Sequence, residues 1–440
     1  MEIKNDKKVI RSWAFFDWAN SAYNLVITST IFPAYYTIIT SDKNNDTIDY
    51  VTFLGMRFVN SALYNYALAF AFLVIALLSP VLSSIADSRG NKKLFMKVFT
   101  YMGSLACCGL YFFELETLQL SIILFILAAI GFWGSLVFYN AYLPEIASPD
   151  QQDKVSATGY AYGYVGSIIL QLMCFVFVFF PSAFGLSGGA QASRLSFLMV
   201  GIWWMLFAQI PFKNLPKVSA VLKTNNSNWM TDGFKELKKV WVQVKAMPYL
   251  KRFLMAFFFY SMGVQTVMLV ATIFAEKQLH MPTEKLIATI LLLQIVAIPG
   301  AMLMSWLSRR YFGNVKVLIG VVVIWIGCCI SAYFITTEMQ FYGLAALIGL
   351  IMGGIQSLSR STYSKFLPQK SPDHTAFFSF YDVTEKVALV IGMFSFGYIE
   401  ELTGSMQNSL IALAAFFAAG LVFLILLRRV EPDTEATSLN

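Results

Sequence analysis

The sequence predicts an all-α integral membrane protein, twelve spanning helices in two repeated halves, and three observations predict it. Of 440 residues, 58% are hydrophobic and only 13% charged, with 16% aromatic, whereas a soluble domain carries nearer a quarter charged residues. Apolar runs of roughly 20 residues, the length that crosses a hydrocarbon core, recur along the whole chain. Short polar and glycine-containing stretches also recur one half-chain apart.

The spans fall near 12–38, 61–86, 94–112, 119–144, 155–180, 194–213, 252–275, 286–308, 315–336, 340–366, 376–399 and 408–427. Cytoplasmic loops of membrane proteins collect Lys and Arg, and this count passes that test with both termini inside. The inner segments then hold Lys4, Lys7, Lys8 and Arg11; Arg89, Lys92, Lys93 and Lys97; Lys154; the basic run from Lys213 to Arg252; Arg309, Arg310 and Lys316; Arg360, Lys365 and Lys370; and Arg428 and Arg429. The opposite loops keep Lys43, Arg57, Arg194, Lys277 and Lys285, while Lys386 falls inside a span. The net charge of +7 is therefore a topology signal, and nucleic acid is not an expected partner. Cys107, Cys108, Cys174, Cys328 and Cys329 all fall in spans as small packing residues with no metal-type spacing. The first span has no small-residue cleavage site after it and reads as an uncleaved helix.

The repeat sets the organisation. YNAYLPEIASPD (139–150) returns as YSKFLPQKSPD (363–373), Gly90-Asn91 and Lys93 return as Gly313-Asn314 and Lys316, and Cys107-Cys108 returns as Cys328-Cys329. Three matches at a near-constant offset imply an N-terminal six-helix bundle over 1–213 and a C-terminal one over 251–440. Parallel six-helix halves around a central substrate site are the plan of major facilitator transporters. The segment 214–250 joins them: a polar linker, TNNSNWMTDG, then a basic amphipathic helix with Phe234, Leu237, Trp241 and Val244 on one face, suited to the cytoplasmic headgroup layer.

Polar residues inside spans need a reason, because lipid cannot satisfy them. At 100° per residue Asp17, Ser21, Asn24 and Thr28 share about 60° of arc, with Asn20 beside them. That stripe turns the first helix toward a wet cavity. Asp17 then serves either proton coupling or the binding of an amine, or it snorkels to the interface as a structural carboxylate. On the tenth span Gly349, Gly353, Gln356, Arg360 and Tyr363 form a second stripe. The Arg360 fork fits a substrate carboxylate or a protein one. Nearby acids are available: Asp382 and Lys386 stand at i,i+4 on the eleventh span with Glu385 beside them, and with Arg360 they make a neutral quartet that is either a gate or a static clamp.

The loop SSIADSRGNKK (83–93) carries Asp87, Arg89, Gly90, Lys92 and Lys93. Gly90 permits a tight turn and Asp87 can meet the positive end of a helix. It resembles the signature loop of the major facilitator superfamily, whose acid latches onto the start of the eleventh helix. The counterpart around Arg309, Arg310 and Gly313 lacks the acid, so a latch on one side only is expected.

FFDWANSAY, ADSRGNKK, FYNAYLPEIA, SATGYAYGYVG, FYSMGVQT, GLIMGGIQSLSRSTYS and FFSFYDVTEKVALVIG together resemble the autophagy-related vacuolar amino-acid effluxer family, over residues 11–400. The resemblance implies the twelve-helix facilitator fold, two pseudo-symmetric six-helix halves and, for fungal members, amino-acid export from the vacuole; this compact chain reads as a bacterial member in a cytoplasmic membrane. Met262 stands where many relatives carry an acid, which leaves Gln265 and Thr266 as neutral candidates on the seventh span.

These readings imply a secondary active transporter of a small polar organic solute, an amino acid being one candidate, with protons as a candidate coupling ion. Membrane lipid would surround a monomer that needs no cofactor or metal. No GxxxxGK(S/T) phosphate loop occurs, which argues against ATP-driven pumping. Three alternatives stand: an exporter of lipophilic compounds or lipids, a sensor or scaffold without flux, and an intramembrane enzyme. The last is disfavoured because His280 and His374 fall in predicted loops with no nucleophile and base to match.

Overall fold

The computed structural model describes residues 4–41, 49–216, 229–369, 371 and 373–428. Lys43, Lys217, Lys223, Lys370, Arg429 and most of the polar linker (224–228) lie outside these residues, as do the side chains of Phe234, Leu237 and Lys277.

Each predicted span is a helix within a few residues of its expected place. The first is compound: α1 (Lys7–Tyr23) runs through a π-helical segment (Asn24–Thr30) into α2 (Ile31–Thr40). Pro33 has no N–H to give back along the helix and its ring crowds the carbonyl one turn earlier, so the helix widens just ahead of it. The Ser29 and Thr30 hydroxyls return to Asn24 O (2.9 Å) and Leu25 O (2.7 Å). A hairpin follows that the sequence reading leaves as loop, β1 (Tyr50–Phe53) paired antiparallel with β2 (Met56–Val59). Its two turn residues both take positive φ, Leu54 at 48° and Gly55 at 78°, the twist that tight hairpins require.

Next come α3 (Asn60–Arg89), α4 (Lys92–Gly109), α5 (Leu118–Asn140), the short α6 (Leu143–Ile146), α7 (Gln152–Phe179), α8 (Gly189–Phe207) and α9 (Gln209–Asn214). The linker helix is α10 (Trp229–Ala246), and the second half continues with α11 (Pro248–Leu279), α12 (Thr283–Leu307), α13 (Asn314–Tyr333), α14 (Glu338–Phe366), α15 (His374–Thr403) and α16 (Met406–Arg428). Among the described residues ten helical stretches are long and apolar enough to cross a membrane. The two remaining spans depart for visible reasons: α1 is only 17 residues before its π segment, and α15 carries Asp382, Glu385, Lys386, Glu400 and Glu401.

The chain forms two compact units. One contains Lys7–Asn140 and Tyr162–Lys223; the other contains Met1–Asp6, Ala141–Ala161 and Thr224–Asn440. The second unit therefore takes in the first ten residues of α7 along with α6. In the first unit α1, α3, α4, α5 and α8 pack around stacked aromatics, Phe32 on Phe125 at 4.6 Å and Tyr23 beside Phe132 at 4.9 Å. The outer face of α3 is apolar, with Tyr66, Phe70, Leu73 and Leu77 each more than half exposed, as expected where lipid is the solvent.

In the second unit the closest packing is α12 on α14. A Cβ at Gly349 would lie 2.5 Å from Leu293 O, and one at Gly353 would run into Ala297 O. The glycine side of the predicted stripe is thus a helix-packing seam. The linker helix α10 lies on α15, with Val240 and Val244 buried, Trp241 stacked on Phe380 at 5.9 Å and Lys239 Nζ 3.0 Å from Asp373 Oδ2.

Gly353→Val forces these helices apart and is expected to cost about 1–3 kcal/mol. Thermal unfolding in detergent checks it, beside a Gly397→Val control where a Cβ meets open space.

Candidate functional site

In the first unit, the polar stripe of α1 is packed against α5 and α7. Asp17 is buried, and its Oδ2 accepts a 2.6 Å hydrogen bond from Tyr139 Oη. Tyr139 is held in turn by Trp13, whose ring stacks on it at 4.4 Å and whose Nε1 donates to Tyr139 O at 3.0 Å. Ser21 lies against Gly163, where a Cβ would come within 2.5 Å of the Ser21 hydroxyl oxygen. Asn24 opens the π segment. Asn20 is fully buried, and among the described residues neither its Oδ1 nor its Nδ2 has a hydrogen-bond partner. A buried amide left unmatched costs several kcal/mol in apolar surroundings.

The loop after α3 is built as its sequence suggests. Gly90 takes φ 62°, Gly90 N donates to Asp87 O (3.4 Å) and Asn91 N to Ala86 O (3.1 Å), closing the helix end. Lys93 Nζ donates to Leu215 O at 2.8 Å and so caps the end of α9. Lys92 is buried, Asp87 half-buried and Arg89 exposed.

In the second unit, the charges of α15 form a cluster. Lys386, 2% exposed, lies 3.2 Å from Asp382 Oδ1 and 3.1 Å from Glu385 Oε2. Gln265 of α11 donates to Glu385 Oε1 at 2.9 Å. Thr266 is fully buried and Gln356 half-buried. Arg360, expected beside this cluster, also reaches across to the start of α7. Its Nε donates to Ser156 Oγ (2.9 Å), a terminal nitrogen donates to Ser156 O (2.8 Å), and the guanidinium lies 4.2 Å from the Tyr160 ring centroid. Ser156 Oγ in turn donates a hydrogen bond to Ser357 O at 2.8 Å.

The second-half loop around Arg309 and Gly313 does meet an acid, supplied from the start of α7. Asp153 is 1% exposed and both of its oxygens are used: Oδ1 accepts from Asn314 Nδ2 (2.7 Å), and Oδ2 accepts from Lys365 Nζ (2.6 Å). Asn314 also donates to Thr362 Oγ1 (2.9 Å), while its Oδ1 accepts from Ser308 Oγ (2.6 Å) and Lys365 Nζ (3.0 Å). Asp153 sits in the first turn of α7, where the helix dipole favours a negative charge. The expectation that this loop works without an acid is corrected: the acid comes from residues 141–161, which sequence spacing around Gly313 does not reveal. His374, expected in a loop, is the first residue of α15 and 3% exposed. Its Nε2 is 3.1 Å from Pro368 O and its Nδ1 is 3.6 Å from Glu145 Oε1. Asp150 is held below the usual carboxylate range chiefly by the Ser148 hydroxyl and then by Gln151.

These helices, in this order, make the twelve-helix major facilitator fold in two six-helix halves. Solved structures share it at low identity: the major facilitator transporter FucP in the outward conformation (TM-score 0.65, 14% identical, covering 96% of this chain and 98% of that one) and the proton:xylose symporter XylE (TM-score 0.68, 11% identical, 97% and 95%). The chain belongs to the family described as "Vacuole effluxer Atg22 like", which matches residues 5–436. Relatives include an uncharacterized MFS-type transporter, YxiO, of Bacillus subtilis, 30% identical over 423 residues (96% of this chain, 95% of the relative). Another is autophagy-related protein 22 of Kluyveromyces lactis, 24% identical over 468 residues (94% and 92%). It is accordingly a multi-pass membrane protein of the transporter class.

Removing one partner of a buried ion pair leaves the other uncompensated, at a cost of about 3–5 kcal/mol. Lys365→Met is therefore expected to destabilise strongly, and Asp153→Asn added to it should recover most of the loss, read as thermal midpoints of the single and double variants.

Proposed function

We propose that the protein is a secondary active transporter that moves a small polar organic solute, an amino acid, by alternating access with protons as the coupling ion. The observation that carries this reading is the unfinished polar interior of α1: a buried Asp17 carboxylate bonded to Tyr139, one turn from an Asn20 amide with no hydrogen-bond partner among the described residues. A site built to hydrogen-bond a polar group discriminates strongly against ligands that lack it, because its own groups would otherwise stay unpaired. Asp17 is the candidate proton carrier, and Asn20 the candidate for substrate recognition. Ser21, Asn24, Gln265 and Gln356 are further candidates for the transport path.

The contacts of the α7 start support the alternating-access part. Gln152, Asp153 and Ser156 belong to the first repeat by sequence, yet they are held by Gln369, Asn314, Lys365, Ser357 and Arg360 of the second. Every one of these links is a hydrogen bond or ion pair, which water can replace when the repeats part. Arg360, Asp153 and Lys365 act in this reading as a gate. The excess of Lys and Arg on the same side supports a cytoplasmic gate, and Asp87, Arg89, Gly90, Lys92, Lys93, Asp382, Glu385 and Lys386 belong in this reading to the same gating machinery.

Purified protein in liposomes is expected to exchange a radiolabelled amino-acid mixture faster under a proton gradient. Asp17→Asn should abolish the response to the gradient, and Asn20→Leu should lower flux about tenfold, or about 1.4 kcal/mol in the barrier. Variants that transport like the parent remove α1 from the site, and flux indifferent to the gradient removes proton coupling.

A further inference from the structure

The latch around Asp153 borders a cavity of about 590 Å³ that the transport reading leaves unused. One wall, with Asp150 and Asp153, comes from the start of α7 and the loop before it. The other, with Tyr249, Arg309, Lys365 and Phe366, comes from α11, the π-helical turn Ser308–Phe312 that follows α12, and α14. The volume lies in the range of small-molecule sites, roughly 300–1,000 Å³.

The charges of this cavity are largely spent on one another. Asp153 accepts from Lys365 and Asn314, and Asp150 accepts from Ser148 Oγ at 2.5 Å and Gln151 Nε2 at 2.8 Å. Arg309 differs: it lines the cavity, and among the described residues its guanidinium makes no hydrogen bond or ion pair. Beside it Tyr249 and Phe366 meet edge to face at 5.5 Å, giving an aromatic wall. A planar cationic fork next to an aromatic wall matches an acidic head carried on an apolar body.

We propose that this cavity binds a small organic anion, its acidic group on Arg309 and its apolar body on Tyr249 and Phe366, and that it does so only while the Asp153 latch is closed. The walls come from segments that belong to different sequence repeats, so opening the latch takes the site apart. A ligand that binds one arrangement and not the other shifts the equilibrium toward the first, and such an anion therefore holds this gate shut. The same chemistry is offered by a soluble organic phosphate or carboxylate and by an anionic phospholipid.

The test uses the full chain in phosphatidylcholine nanodiscs, titrated with phenyl phosphate by saturation-transfer NMR, and in detergent, titrated with phosphatidylglycerol by native mass spectrometry. Saturable binding of phenyl phosphate identifies a soluble ligand, and binding of the lipid alone identifies a headgroup. Arg309→Gln is expected to weaken the binding about tenfold or more, Arg310→Gln to leave it unchanged, and Tyr249→Ser to weaken phenyl phosphate but not inorganic phosphate. Asp153→Asn separates the latch from simple electrostatics. Loss of a nearby negative charge should tighten an anion on an open patch, whereas loosening the latch should weaken it. Failure of both anions to bind saturably, or an Arg309→Gln protein that binds like the parent, overturns the site; tighter binding in Asp153→Asn overturns its dependence on the latch.

Discussion

The buried carboxylate of Asp153 constrains more of this structure than any other single group. Taking a charge out of water costs several kcal/mol unless its lone pairs are met, and here Asn314 and Lys365 meet both oxygens. That demand brings three chain segments far apart in sequence to one point: the first turn of α7, the first residue of α13 and the last turn of α14. Arg360 repeats the arrangement one turn deeper, with its fork on Ser156 and its plane on Tyr160. Residues 141–161 thereby join the compact unit formed by the rest of the second half.

The same economy governs the interior. Apolar side chains cover the outer faces of α3 and α15, where Phe70 and Phe394 are more than half exposed, and polar groups are kept for helix contacts. With lipid outside, apolar burial separates helices from water but does little to choose among helix partners. Choice falls to close backbone approach, as at Gly349 and Gly353, and to hydrogen bonds such as Tyr139 to Asp17. A fold held this way can exchange polar contacts without exposing a large apolar core.

Most of the helices were legible because a run of apolar residues has few other uses at such length, and the linker helix and the Gly90 turn were legible from local chemistry. The misses have physical causes. The hairpin at 50–59 turns on Leu54-Gly55, which lacks the usual Asn-Gly or Asp-Gly signal. The π segment depends on Pro33 and two hydroxyls acting together. Asp17 and Asn20 stood out as polar residues in a span, but their partners could not be read, since Tyr139 lies 122 residues from Asp17. The Asp382–Lys386 pair was visible from its i,i+4 spacing, whereas the Arg360 contact with Ser156, 204 residues away, was not.

The widened turn after Asn24 has a geometric consequence. Gaining or losing the one extra residue of a π turn rotates everything on the N-terminal side by about 100° relative to the rest. Across Asn24–Thr30 the ordinary ladder is already broken, and the phase of α1 against α2 is held by hydroxyl contacts, with Thr30 Oγ1 also 2.8 Å from Gln171 Oε1 on α7. The first helix is thus a shaft with a rotary joint. Asp17 and Asn20 ride on its N-terminal side, where the Tyr139 hydrogen bond and the Gly163 contact hold them together with the hydroxyl pins at the joint.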